Sequence, residues 1–220
     1  MSNATGLGVP SNGLLYPPAS VEDIPFVTRP ISEGGVLERK GMVEVISSLE
    51  ADGRKIPYDI RMGVWVTVEA ETDYIKNCFE EYNAHTDPSG CYFTLYKRWH
   101  LIGLEVGVSV ASVALRGEPT GVATAWNADV VATAKRDLQA GEMLDGEGGY
   151  TVWGKLLPAA TSVALGGLPL GLAHNLKLLR PVKQGQSVSW ADVAIDTTTQ
   201  AYRSRKAMEA LFALPTLKVA

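Results

Sequence analysis

Apolar and polar positions alternate along this chain with changing periods, and each period predicts a different element. Met42 to Leu49 and Ile60 to Glu69 are strand-like runs. Asp52-Gly53 between them supplies the positive-φ position of a tight turn, so the pattern predicts a β-hairpin. In the second run Met62, Val64, Val66 and Val68 alternate with Gly63, Trp65, Thr67 and Glu69, which predicts one buried face. Next, Thr72 reads as an N-cap with Asp73 in the first helical turn. Tyr74, Ile75, Cys78, Phe79 and Tyr82 form the stripe of that helix, and Asp87-Pro88-Ser89-Gly90 ends the unit as a turn. Leu101 to Leu115 is apolar or small throughout and long for a strand, which predicts a buried helix despite its β-branched residues. Arg116-Gly117-Glu118-Pro119-Thr120-Gly121 breaks it.

From about Asp129 the texture changes to short β runs containing an internal repeat. Arg136-Asp137-Leu138-Gln139-Ala140-Gly141-Glu142-Met143-Leu144 resembles Arg180-Pro181-Val182-Lys183-Gln184-Gly185-Gln186-Ser187-Val188, with a glycine at the same turn position in each. Two copies suggest a small pseudo-symmetric β unit; a solenoid needs more. A closing helix is expected with Thr197 and Gln200 as a capping box, Ala201, Ser204, Met208, Leu211 and Phe212 as its apolar stripe, and Pro215 as its stop. Residues 1–35, rich in Gly, Pro, Ser and Asn, read as a connector or covering arm.

Composition narrows the possible functions. With 220 residues and 46% hydrophobic content, the chain can bury a core in one large or two small domains. A net charge of −4 leaves no footprint for nucleic acid. Cys78 and Cys91 make neither a disulfide framework nor a CxxC zinc pair and read as reduced thiols. There is no HxxxH or Asp-rich metal pattern and no GxSxG or Cys/His constellation. The amino terminus has no signal-peptide pattern. Leu101–Leu115 is too short for a membrane span, and Leu156–Ala173 is interrupted by Pro158, Gly166, Gly167, Pro169 and Gly171. The expectation is a soluble, cytoplasmic protein.

Two sets of phrases carry a family resemblance. Ala134-Lys135-Arg136-Asp137-Leu138-Gln139-Ala140-Gly141-Glu142 and Gly166-Gly167-Leu168-Pro169-Leu170-Gly171-Leu172-Ala173-His174 make the segment Asp129 to Asp196 resemble an SAF domain, a β-clip module. Upstream, Gly34-Gly35-Val36-Leu37-Glu38, Tyr96 with His100-Leu101-Ile102-Gly103-Leu104-Glu105, and the run Ser109 to Gly121 resemble the homoserine-dehydrogenase-like oxidoreductases that end in an SAF domain. That group includes the deoxyxylulose-phosphate-reductoisomerase-like proteins. The resemblance implies an α+β fold. Residues 1–128 would be a mixed sheet-and-helix remnant of an oxidoreductase catalytic domain, 129–196 the SAF β-clip, and 197–220 a C-terminal helix and tail. It also implies an NAD(P)-dependent oxidoreductase or reductoisomerase acting on a sugar acid, a sugar phosphate or a polyol derivative.

Family members begin with a Rossmann domain. Gly6-Leu7-Gly8 is the nearest approach to its glycine-rich turn, but it lacks the third glycine and a preceding strand, and Pro10 follows. The chain therefore reads as a split-gene product or truncation with no cofactor-binding residues of its own. NADP of the assembled enzyme would be held by a separate Rossmann-domain chain, and a homo-oligomer also fits. The alternative is a non-catalytic SAF module for ligand binding or oligomerisation.

The densest candidate chemistry is Tyr96, Lys97, Arg98, Trp99, His100 and Glu105. An imidazole shuttles protons near neutral pH, Lys and Arg hold carboxylate or phosphate, and the following helix N-terminus attracts anions. By resemblance this region lines the substrate pocket, with His100 and Tyr96 as catalytic groups and Lys97, Arg98 and Glu105 on the substrate. The family usually has Arg at position 97 and Pro at 98. The competing reading makes Tyr96 and Trp99 core and the charges solvated. Arg116 and Glu118 either face the same pocket or pair across a turn. His174 either marks a ligand loop or is structural, and His85 reads as a surface residue.

Overall fold

The computed structural model describes residues 1–213; Pro215, the expected stop of the last helix, lies outside them. The helices are α1 (Ser2–Thr5), α2 (Ile24–Val27), α3 (Asp73–Glu81), α4 (Ile102–Arg116), α5 (Ala159–Leu165) and α6 (Gln200–Ala213). The strands are β1 (Val64–Glu69), β2 (Tyr92–Lys97), β3 (Ala128–Ala134), β4 (Met143–Asp145), β5 (Val152–Pro158), β6 (His174–Leu178) and β7 (Val193–Ala194). All strand pairs are antiparallel, in sheets ordered β1-β2, β3-β5 and β4-β6-β7, so the fold is α+β. The chain forms two compact units, residues 15–122 and residues 1–14 with 123–220.

In the unit 15–122 the expected hairpin is replaced by a longer-range pairing. β1 pairs with β2, from Val64 opposite Lys97 to Glu69 opposite Tyr92, not with Met42–Leu49. The Asp52-Gly53 turn forms, with Gly53 at φ 86° and a single Leu49–Lys55 bridge, but it closes only a short excursion. The expected buried face is also inverted. Val66 and Val68 are 50% and 37% exposed, whereas the other face carries Trp65 and Thr67 toward α2. There the Thr28 hydroxyl donates to the Ile24 carbonyl at 2.7 Å. Its proton is then used, so Thr67 donates to Thr28 and Thr94 donates to Thr67 across β1 and β2, at 2.8 and 2.7 Å. A satisfied hydroxyl chain thus replaces the apolar face that alternation predicts. Beside it Ala19, Ile24, Ile46 and Ile60 form the unit's small core.

α3 starts where expected, with the Thr72 hydroxyl accepting the Ile75 amide at 3.3 Å. Its inner face is Ile75, Cys78 and Phe79, the last 5.3 Å from Phe93, while Tyr74 and Tyr82 point to solvent. α4 is a helix as expected but is not buried: Leu104 is 81% exposed and Leu115 84%. Its apolar residues run around the helix, a pattern that reads as buried on all sides, yet Val106, Val108, Val110 and Val113 are also more than half exposed.

The other unit holds the larger core: Leu138, Leu144, Val152, Leu168, Leu178, Val188 and their neighbours. The sequence repeat is its organising symmetry. Leu138 and Val182, equivalent positions, exchange backbone hydrogen bonds with each other at 2.8 and 3.1 Å. Moving every partner by one repeat maps the Ala134 amide to Gln186 carbonyl bond onto the Leu178 amide to Glu142 carbonyl bond, both real. Gly141 and Gly185 turn the chain at φ 87° and 79°. Even the side-chain caps correspond, Glu142 accepting the Gln139 amide and Gln186 the Lys183 amide.

α6 departs from expectation at its start and in its face. Its N-cap is Thr199, whose hydroxyl accepts the Tyr202 amide at 3.4 Å, not Thr197. The packed side is Tyr202, Arg205, Lys206, Met208 and Glu209, whereas Ala201, Ser204, Leu211 and Phe212 are exposed. Charged side chains take over the packing: Arg205 forks onto both carboxylate oxygens of Asp129 and lies 4.9 Å from the Trp126 ring centroid.

Candidate functional site

β2 divides the candidate cluster in two, because successive side chains of a strand point to opposite faces. Tyr96 lies opposite Trp65 and Lys97 opposite Val64. Lys97 thus joins His100 and Glu105 on one side, and Tyr96 joins Arg98 on the other.

Lys97, His100 and Glu105 meet where β2 hands over to α4. The segment after the strand is fixed by the His100 amide donating to the Met62 carbonyl at 2.6 Å. Gly63 allows that approach: a Cβ there would stand 2.8 Å from the Lys97 carbonyl oxygen, a backbone atom that cannot move aside cheaply. Glu105, in the first turn of α4, pairs with the Lys97 ammonium through Oε1, and its Oε2 lies 2.5 Å from His100 Nδ1. That second contact is not aligned as a hydrogen bond, and Oε2 is buried. One carboxylate thus lies beside both a cation and an imidazole. Lys97 and His100 side chains are 59% and 48% exposed, so a solute can reach both.

The opposite face opens on a cavity of about 320 Å³ lined by Val21, Glu22, Tyr58, His85, Tyr96 and Arg98. Tyr96 lines this cavity with Arg98, on the face of β2 opposite to Lys97. Trp99 is 60% exposed, with the Arg98 guanidinium 5.3 Å from its ring centroid, so it is not core. His85 is exposed, and it also lines this cavity.

The remaining candidates lie elsewhere. Arg116 is on the last turn of α4, eleven residues beyond Glu105 and about 16 Å further along the axis. Glu118 follows the C-cap Gly117, and its carbonyl accepts the Ser112 hydroxyl at 2.9 Å. No Arg116–Glu118 ion pair forms among the described residues. His174 belongs to the other unit and packs over Gly146, where a Cβ would sit 2.4 Å from its Nδ1; it closes the turn after β4.

Sequence reasoning missed a second polar cluster in the unit 15–122. The Tyr92 hydroxyl donates to Glu33 at 2.5 Å, and Lys40 bridges Glu69 and Glu33 at 2.5 and 3.4 Å. Burial first, then Glu33, raises the Tyr92 phenol to about 12, so it stays a donor. These residues are far apart in sequence and follow no motif spacing.

Gly6 is the C-cap of the four-residue α1, at φ 78°. Among the described residues no group of three or more His, Cys, Asp or Glu is placed to hold a metal ion, and no helix is long and apolar enough to cross a membrane.

Residues 1–106 match the family model described as the catalytic domain of oxidoreductase DRL, which supports an oxidoreductase catalytic domain in this part of the chain. No curated protein matches the sequence.

Proposed function

We propose that this chain is the substrate-handling part of an NAD(P)-dependent oxidoreductase or reductoisomerase acting on a sugar acid or polyol derivative, with the nicotinamide held by a separate Rossmann chain. One observation carries this reading: the segment similar to an oxidoreductase catalytic domain ends on the Lys97–His100–Glu105 cluster. Hydride chemistry would come with the nicotinamide. What this chain's residues contribute is proton and charge handling. Lys97 holds an anionic or carbonyl oxygen of the substrate, His100 Nε2 moves a proton to or from a hydroxyl, and Glu105 keeps both in place. Residues 129–196 serve as an SAF β-clip, a reading supported by the dyad that relates the two repeats.

The test combines binding and reconstitution. The purified chain alone is expected to leave NADPH fluorescence unchanged at micromolar protein. Mixed with its Rossmann partner and a sugar-acid or sugar-phosphate panel, it should support NADPH oxidation. Glu105→Gln should then lower kcat at least tenfold while the two chains still co-elute. Micromolar NADP binding by the lone chain, or unaltered kcat in Glu105→Gln, would overturn the assignment.

A further inference from the structure

β1 and β2 form a sheet of two strands, so β1 has one neighbour and one open edge. The ladder fixes which groups line that edge. The Ala70 amide donates to the Cys91 carbonyl at 2.7 Å, one step beyond the pair Glu69–Tyr92. Backbone groups alternate sides in an antiparallel pair, so Val64, Val66 and Val68 bond to β2, whereas Trp65, Thr67 and Glu69 turn their amides and carbonyls outward. The other strand has the same phase: the Tyr92 carbonyl accepts the Asp87 amide at 3.0 Å, away from β1. Before Trp65 the open stretch ends, because the Gly63 amide donates to the Ile60 carbonyl at 2.7 Å. Outside the β1-β2 ladder, no backbone bond to Trp65, Thr67 or Glu69 forms among the described residues. Edge strands are ordinarily blunted by Lys, Pro or a bulge. Val-Trp-Val-Thr-Val-Glu has no Lys or Pro, and its register with β2 is unbroken from Val64 to Glu69. Its one charge, Glu69, is held by Lys40 at 2.5 Å.

We propose that the open edge of β1 pairs antiparallel with β1 of a second copy of this chain, about a two-fold axis at Thr67, giving a sheet ordered β2-β1-β1-β2. The edge is complementary to itself in that register. Thr67 lies opposite Thr67 and Trp65 opposite Glu69, so every outward amide meets an outward carbonyl. Moving the axis to Val66 would set Glu69 opposite Gly63, whose amide the Ile60 carbonyl already takes. With the axis at Thr67, Val66 faces Val68 of the second copy in the close position between hydrogen-bonded pairs. These side chains are 50% and 37% exposed, and Leu95, 53% exposed, shares their face, so the apolar surface continues across the axis. On the opposite face Trp65 meets the Glu69 carboxylate, of which Lys40 takes only Oε1; the other oxygen can accept the indole N–H. The occupant is a second copy because β1 itself carries what the edge asks for, an outward set of equal length with valines in the facing positions. Assembly through this edge does not depend on the redox reading.

Sedimentation equilibrium of the full chain should show the mass rising with concentration from one chain toward two. Hydrogen exchange read amide by amide, in dilute and concentrated protein, locates the contact. The Trp65, Thr67 and Glu69 amides should gain at least tenfold protection in the concentrated sample, whereas those of Val64, Val66 and Val68, bonded within the chain, should exchange equally in both. Val66→Lys with Val68→Lys sets like charges opposite one another and should weaken dimerisation at least tenfold. Val66→Lys with Val68→Glu sets opposite charges in the same positions and should restore it to within about threefold of the parent. Neither side chain is buried, and an unchanged melting temperature in dilute protein will show both variants folded. A mass that stays at one chain in the concentrated sample would overturn the proposal. A dimer whose Trp65, Thr67 and Glu69 amides gain no protection would do the same, since its contact lies elsewhere. If the Lys/Glu variant dimerises no better than the Lys/Lys variant, the Thr67-centred register is wrong. Protection that appears only when a different protein is added would assign the edge to that protein and equally sink the idea.

Discussion

Asp87 has no exposed side-chain surface, yet it carries a charge in a unit with little core around it. It accepts the Ser89 hydroxyl at 2.8 Å and the amides of Cys91 and Tyr92 at 3.2 and 3.0 Å, and it pairs with Arg29 at 3.1 Å. Burial alone pushes its carboxyl up; the Tyr92 amide, Ser89 and the Arg29 guanidinium outweigh burial and hold it below the ordinary carboxylate value. A group whose folded value is depressed contributes stability above its unfolded value, about 3.9, and loses it as pH falls through the folded one. The unit 15–122 should therefore weaken below about pH 4. At pH 7 Asp87→Asn should cost about 2–3 kcal/mol, since charged hydrogen bonds are lost and Arg29 is left unpaired. Urea unfolding at pH 7 and pH 3 checks both statements: the gap between the parent and the variant should shrink at the lower pH, and a constant gap would count against the Asp87 charge as its cause. Asp87-Pro88-Ser89-Gly90 was legible as a turn because Pro and Gly punctuate backbone locally. The carboxylate's burial was not, because Arg29 is 58 positions away. The same limit applies to the candidate site. Residues 96–100 were recognisable as a dense run of chemistry, but strand alternation, applied within that run, separates Tyr96 and Arg98 from Lys97.

Among the elements, α6 shows where periodicity misleads. A stripe counted in apolar residues selects Leu211 and Phe212, both exposed, as well as Met208, which packs, because the rest of the packed face is Tyr202, Arg205, Lys206 and Glu209. Arg205 and Asp129 side chains are 12% and 8% exposed, and Ser162 donates to the same carboxylate at 2.5 Å. Removing one partner of a buried pair leaves the other charge uncompensated, so Arg205→Ala should cost about 3–5 kcal/mol. Hydrogen exchange should then show α6 amides losing protection ahead of β3 and β5. A loss under about 1 kcal/mol would mean water already screens the pair. The repeat was more legible than the helix face. Equivalent glycines at fixed spacing demand equivalent turns, and the Leu138–Val182 exchange places those turns about one dyad. The β1-β2 pairing was not legible, because the Asp52-Gly53 turn advertised a nearer partner and strand propensity carries no record of which strand lies opposite.

At the scale of the whole molecule, apolar side chains are distributed unevenly. The cluster buried in the unit of residues 1–14 and 123–220 has eleven members among the described residues, and that in the unit 15–122 has four. The second unit is not poor in apolar residues; it holds them outward. Val66 and Leu95 stand at 50% and 53% exposure on one face of the β1-β2 sheet, and Leu104, Val108, Val110 and Leu115 at 63–84% on α4. Each such side chain is worth about 1.5–3 kcal/mol when fully covered, so this unit leaves much of its stabilisation unrealised. Exposed apolar side chains of this kind bind hydrophobic dyes and promote association. The purified chain is therefore expected to enhance anilinonaphthalene sulfonate fluorescence while natively folded. Its sedimentation coefficient should also rise with concentration. Leu104→Glu with Val108→Glu should lower the dye signal by half or more and leave the melting temperature unchanged, because the two side chains are 81% and 68% exposed. A dye signal that survives both substitutions, or a melting temperature that falls with them, would place α4 against a covering surface and refute its exposure.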